Sequence, residues 1–272
     1  MTETDAGTAW RTYADRGLPP ILETVLACFM EHGYHGTTIR TVASRAGLSV
    51  PGLYYHYASK QALLVALVSH AMEDLWRRST AALEEAGDDV RRRFDLLVEC
   101  LVLFHAHQRD LAFIAYSEIR SLTGEARTTY IAARDRQQRL MDHVIEGGVA
   151  QWVFATPYPC EASRAIVTMR TGVSQWYRAA GEHSPQELAE RYRAMTRMTA
   201  GASAYKTVKK ATSNSTGGLR TTVKATVPGT WRWTYHGNST AGAKSSAGIT
   251  SPCARRGTRL GGRCPARWRP LA

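Results

Sequence analysis

The stretch GLSVPGLYYHYASK, residues 47–60, concentrates hydrogen-bonding side chains on what reads as a very short helix. Tyr54, Tyr55, His56 and Tyr57 follow one another, with Ser49 before them and Lys60 after. Phenol hydroxyls, an imidazole and an ammonium are donors suited to phosphate oxygens, contacts that fix a protein's register on a duplex without reading its sequence. Thr38 adds a hydroxyl of the same use. Base reading falls to fewer groups. Arg40 carries the planar fork that matches guanine O6 and N7, Val50 and Pro51 can touch thymine methyl groups, and Gly52 lets the backbone approach closely. The alternative is an aromatic seam in which the YYHY run packs between helices.

Catalytic patterns are weaker. GVSQW at 172–176 lacks the second glycine of a GxSxG elbow, and neither a phosphate-binding P-loop nor a GxGxxG fingerprint occurs. An acid–base pair of His183 and Glu187 in a helical hydrolase is the enzymatic alternative, and the chain is read as a non-enzyme. His105 and His107, two apart on a helix, point different ways and make a poor metal pair. Neither a metal nor another cofactor is expected.

These side chains need elements to hold them. Ile21, Val25, Cys28 and Phe29 recur at helical spacing, and Gly33 closes that first helix. In GTTIRTVASRAG, Thr37 or Thr38 can cap a second helix whose stripe is Ile39, Val42, Ala43 and Ala46. Gly47 supplies a turn, Ser49 caps a third helix with Pro51 in its first turn, and Leu53 and Tyr57 face the core. Helix, tight glycine turn, helix is the helix-turn-helix, whose second member enters the major groove.

The remainder reads as helical almost to residue 200. A linking helix runs from 59 to about 86, and others are expected near 88–107, 109–121, 124–147, 160–180 and 185–198. Gly124, the Gly147-Gly148 pair, the prolines at 157 and 159 and GEHSP serve as breakers. Ser184, Pro185 and Glu187 spell a capping box. The expected organisation is an arm (1–17), a helix-turn-helix domain (18–66), a larger helical domain (67–200) and a disordered tail (201–272).

Composition sharpens this. The chain has 272 residues and a formal charge of +12. Its basicity is uneven: residues 201–272 hold five Lys and eight Arg with no acidic residue, leaving twenty-two basic against twenty-three acidic residues before them. DNA binding by the folded part therefore rests on where residues sit rather than on bulk charge. The tail, rich in Gly, Ser, Thr and Arg, either adds salt-sensitive affinity for DNA or is an out-of-frame or appended extension. The most apolar run, 96–104, is too short to cross a bilayer, and the N-terminus lacks the charge pattern of a secretory signal, so no membrane partner is expected and the cytoplasm is the expected location. Five cysteines without a CxxC pair suggest neither disulfides nor zinc.

Residues 21–67, with the Gly-Tyr after the first helix, the AGLS turn, the LYYHY segment and SKQALL, resemble the DNA-binding domain of the TetR family of bacterial repressors. Carried over by position, that resemblance places DNA contacts on Thr38, Arg40, Ser49, Val50, Pro51, Gly52, Tyr54, Tyr55, His56 and Lys60. Val50 stands where many members carry a polar or basic residue, which would make readout there apolar. The resemblance further implies an all-α fold, a ligand-binding and dimerisation domain whose last two helices pair with a second subunit, and a homodimer on a palindromic operator in double-stranded DNA.

SEIRSL at 117–122 and WYRAAGEHSPQELAERY at 176–192 are similar to the branch of TetR repressors that sense acyl-CoA thioesters of fatty-acid or steroid breakdown. On that resemblance the small-molecule effector is an acyl-CoA. Arg120, Arg127, Arg134 and Arg178 meet its anionic groups, and Trp176 and Tyr177 wall its pocket. A repressor sensing lipophilic cations is the alternative.

Overall fold

The computed structural model describes residues 9–202, together with two short strands beyond them, at 220–226 and 232–238. Among the described residues a 3-10 turn, Ala9–Arg11, precedes nine helices: α1 (Pro20–Gly36), α2 (Ile39–Arg45), α3 (Val50–His56), α4 (Lys60–Ala86), α5 (Val90–His107), α6 (Arg109–Ser117), α7 (Gly124–Ala150), α8 (Pro159–Trp176) and α9 (Pro185–Thr199). A second 3-10 turn, Glu118–Ser121, joins α6 to α7.

Local chemistry sets the helix starts. Thr38 Oγ1 accepts from the Thr41 amide at 3.1 Å, Ser49 Oγ from Gly52 at 3.1 Å and Ser59 Oγ from Ala62 at 3.0 Å, so each satisfies a donor that a helix leaves unpaired. The expected box at Ser184 is complete, the Glu187 carboxylate accepting from the Ser184 amide at 2.8 Å. That carboxylate is committed to a helix start rather than to a dyad with His183. Between α2 and α3, Gly47 adopts φ 68°, a conformation that costs an L side chain about 1 kcal/mol or more. Gly33 breaks the regular geometry of α1 with φ 70°, as expected, although helical turns resume as far as Gly36.

Three boundaries differ from the sequence reading. The Gly147-Gly148 pair does not break α7, which continues to Ala150. Gly148 is there for close packing: a Cβ on it would stand 2.1 Å from Cδ2 of the buried Phe154 ring. Helix α8 stops at Trp176 rather than near 180, because Tyr177 turns extended to bury its ring and donate its hydroxyl to the His183 carbonyl. Finally, 109–121 divides into α6 and the 3-10 turn.

Two apolar cores result. Leu22, Val25 and Phe29 of α1 pack with Val42, Leu53, Leu63, Leu64 and Leu67, while Leu97, Leu101, Met141, Ile166, Val173 and Leu188 form the second core. Helix α4 serves both, since Leu63 through its first turns belongs to one and Leu75, Ala82 and Leu83 to the other. Helix α6 also spans them, giving Leu111 and Ile114 to the first and Ala112 to the second. Residues up to 202 form one compact unit.

The arm before α1 is anchored within that unit. Trp10 is buried with its indole on Glu85 at 2.8 Å, and Arg11 bridges Glu85 and Glu99, each at 2.7 Å. Gly201 and Ala202 complete the end of α9, the Ala202 amide donating to the Arg197 carbonyl at 2.7 Å. The segment read as a structureless tail contains an antiparallel pair, Arg220–Thr226 with Arg232–Asn238, in which Val223 lies opposite Tyr235. These runs are rich in Thr, Val, Trp and Tyr, which suit a pleated ladder. The remaining expectations for the tail, Cys253, Cys264, Trp231 and Trp268 included, lie outside the described residues.

Candidate functional site

The short helix α3 divides its side chains sharply. Leu53 is wholly buried and holds the helix to the core, whereas Tyr54 is 46% and Tyr55 87% exposed, with His56 and Pro51 in solvent as well. Val50 and Gly52 are half-buried, and Tyr57 packs partly against the core. Packing therefore does not account for the exposed aromatic rings. Arg40, Thr38 and Ser49 are exposed in or just before the first turns of α2 and α3, so nine of the ten predicted contact residues lie in or next to these two helices. The hydroxyls of Thr38 and Ser49 accept from helix amides; the Ser49 proton is left for an outside acceptor, while the Thr38 hydroxyl also pairs with that of Thr41 at 2.8 Å. Thr37 serves the fold instead. Buried, it donates to the Cys28 and Gly33 carbonyls at 3.0 and 2.8 Å and so fixes the end of α1.

Lys60, the tenth, stands at the start of α4. Its Nζ donates to the carbonyls of Tyr34 and Thr37, both at 2.9 Å, and to that of His35 at 3.5 Å, with the Tyr34 ring 4.5 Å away. An ammonium has three protons, and here each has a carbonyl. Lys60 is a positioning residue that ties the end of α1 to the start of α4.

The six candidate ligand residues sit in different surroundings. Arg120 is exposed, Arg127 donates to the Ile119 carbonyl at 3.2 Å, and Arg178 caps the end of α8 through the carbonyls of Trp176 and Tyr177. Trp176 is half exposed and Tyr177 belongs to the core. Arg134 differs: partly buried on α7, it acts electrostatically on Tyr130 and on Arg170 of α8. The SEIRSL corner contacts the DNA-side helices instead. Ser121 Oγ lies 3.2 Å from His35 Nε2, and Gln61 Nε2 donates to the Thr123 carbonyl at 3.3 Å.

A family model described as bacterial regulatory proteins of the tetR family matches residues 21–67, and one described as a tetracyclin repressor-like C-terminal domain matches residues 87–199. Together they cover more than half of the chain. The chain belongs to the TetR family. It is a DNA-binding transcriptional repressor of the TetR type. The HTH-type transcriptional repressor KstR2 of Mycobacterium tuberculosis is 27% identical over 177 residues, 64% of this chain and 88% of that protein. A tetR-family regulatory protein from Rhodococcus RHA1 superposes with a TM-score of 0.64 at 26% identity, covering 68% of this chain and 97% of that one. AibR, solved in complex with isovaleryl coenzyme A and operator DNA, shares the fold with a TM-score of 0.58 at 22% identity, covering 65% and 95%.

In this TetR-family chain the second core hides polar groups that the sequence reading missed. Arg170 of α8 is 6% exposed, and beside it lie His105 and Cys100 of α5. The His105 imidazole, its Nδ1 donating to the Leu101 carbonyl at 2.7 Å, is driven down to about 3 by burial and then by the Arg170 charge. Burial pushes the Cys100 thiol up to about 12. Cys100 Sγ lies 4.0 Å from Ser79 Oγ, which in turn accepts from Gln137 Nε2 at 2.8 Å. His107 points elsewhere, stacked on Tyr13. A signal for Arg170 was present, because Ala162, Ile166, Arg170 and Val173 form one stripe of α8, an apolar line with a guanidinium in it. Among the described residues no group of three or more His, Cys, Asp or Glu could hold a metal ion, and no helix is long and apolar enough to cross a membrane.

Proposed function

We propose that this repressor binds a palindromic operator as a homodimer and releases it when an acyl-CoA thioester enters the second core. One observation carries the DNA half: α3 buries Leu53 completely while leaving Tyr54, Tyr55 and His56 in water. Tyr54, Tyr55, His56, Thr38 and Ser49 hydrogen-bond phosphates, Arg40 reads a guanine, and Val50, Pro51 and Gly52 meet base edges at close approach. Tyr158 just before α8, Trp176 at its end, and Met195 and Met198 of α9 are exposed, and a second copy of the chain covers them. Two-fold symmetry then sets two α3 helices on two half-sites.

The effector reading draws on the similarity to KstR2 and on AibR, whose structure contains isovaleryl coenzyme A and operator DNA. Helices α4 and α6 contribute to both cores, so a ligand that displaces either changes the spacing of the two α3 helices. To release the operator, the ligand must favour the incompetent state by about 1–3 kcal/mol or more. Titration of the protein–operator complex with long-chain and steroid acyl-CoAs, their free acids and lipophilic cations tests this. Release by the thioesters is expected. Release by cations alone would replace the acyl-CoA reading with a multidrug-sensing one and leave the DNA surface as described.

A further inference from the structure

Two arginines lie deep in the molecule, and their surroundings are opposite. Arg78 is 5% exposed and paired with a carboxylate: its Nε donates to both Asp74 oxygens at 3.0 and 2.9 Å, and its Nη1 to the carbonyls of Trp10 and Thr12 at 2.7 and 2.9 Å. Arg170 is 6% exposed, and its Nε has no hydrogen-bond partner. The charged or ionisable groups that act on it are Arg134 from α7, of like sign, and the Cys100 thiol from α5, which burial keeps protonated. His105, also from α5, is neutral beside it. On α8 itself the neighbours one turn away are Ile166 and Ser174, both buried. No carboxylate compensates this cation among the described residues. One further atom of the same interior lacks a partner, Oε1 of Gln137, whose amide holds Ser79.

An uncompensated buried cation costs several kcal/mol, which a fold tolerates where the missing partner arrives from outside. We propose that Arg170 is an anion-binding residue for the effector, and that the effector carries a carboxylate on the end that enters the helical core. This rests on the reading that the second core binds an acyl effector. A hydrocarbon-ended acyl chain leaves Arg170 unpaired, whereas a second carboxylate at the far end of the chain forms a charge-assisted pair with the guanidinium. Coenzyme A phosphates are too large and too strongly hydrated for a side chain this buried. The ligand class is therefore a dicarboxylic acid joined to coenzyme A through one carboxyl group and free at the other.

The test pairs two thioesters of equal chain length, octanoyl-CoA and the mono-CoA thioester of octanedioic acid, titrated calorimetrically into the full chain. The dicarboxylic thioester is expected to bind at least about tenfold more tightly. Arg170→Met should abolish that preference, and Arg170→Lys should retain part of it. Without ligand, Arg170→Met should melt at or above the parent temperature, since it removes an unpaired charge; a clearly lower melting temperature would show that Arg170 already has its partner and would overturn the proposal. Equal binding of both thioesters, or a preference that survives Arg170→Met, overturns the role of Arg170 and leaves the acyl-CoA reading standing. Binding of neither thioester overturns both.

Discussion

Gln61 and Thr123 exchange two hydrogen bonds, the Gln61 amide nitrogen donating to the Thr123 carbonyl at 3.3 Å and the Thr123 hydroxyl donating to Gln61 Oε1 at 3.0 Å. They join the first turn of α4, which leads out of the helix-turn-helix, to the residue that opens α7. A displacement of α7 therefore reaches α4 through a short polar link as well as through the shared cores. Gln61→Ala is expected to leave operator affinity nearly unchanged without effector and to weaken effector-driven release by about 0.5–2 kcal/mol of coupling. Anisotropy titrations of both proteins with labelled operator measure it, and identical release curves would show that the link is not used.

Lys60 and Arg40 separate positioning from reading. Lys60→Met removes the donors to three carbonyls at the end of α1 and should lower folding stability by about 1–2 kcal/mol. Arg40→Ala should leave stability alone, cost about 1–3 kcal/mol of operator binding and relax preference at one base pair. Tyr54→Phe should weaken binding about equally on every sequence. Denaturant melts alongside binding to variant operators distinguish them. A Lys60→Met protein of parental stability that no longer binds operator would return Lys60 to the DNA contacts.

Stability should fall on mild acidification, for a reason located at His105. Its imidazole titrates near 6.5 when unfolded and at about 3 when buried beside Arg170, so between those values the unfolded chain holds the extra proton. Stability from this group is complete above the unfolded value and is lost as the pH drops, by up to about 1.4 kcal/mol per unit. His105→Gln should flatten the dependence by about one proton in urea melts run between pH about 7 and 5. Equal slopes would place the titrating group elsewhere.

The adjacent glycines of α7 should respond oppositely to alanine. At Gly148 a methyl group would strike the Phe154 ring, 2.1 Å away, and overpacking of this kind costs about 1–3 kcal/mol. At Gly147 the nearest atom is Val90 Cγ2 at 3.9 Å, and alanine should stabilise the helix by up to about 1 kcal/mol. Thermal melts of the two variants check the contrast; similar melting temperatures would mean that the ring moves freely.

What could be read from the sequence was what neighbouring residues decide. Thr38, Ser49 and Ser184 cap helices through atoms two or three residues away, so their roles were visible in the string, as was the split between buried Leu53 and exposed Tyr54. What could not be read depends on distant partners. Lys60 looks like a phosphate contact until the carbonyls of Tyr34 and Thr37 arrive from the end of α1. Gly147-Gly148 looks like a breaker until Phe154 folds back onto it. Arg127 also donates to the Ile119 carbonyl, eight residues back, which no spacing announces. Arg170 was hidden differently: its place on an apolar stripe was legible, but the absence of a counter-charge emerges only from the packing of α8 against α5 and α7.

The central claim is that the exposed face of α2 and α3 reads operator DNA as a symmetric pair. Selection of bound duplexes from a random pool, with the full chain and with a chain ending after Ala202, tests it most directly. The account predicts one enriched palindrome for both proteins, with half-site centres separated by one helical turn, roughly 34–36 Å, or a multiple of it, and loss of one base preference in Arg40→Ala. Enrichment of no sequence, or of a single unrepeated half-site, would contradict it.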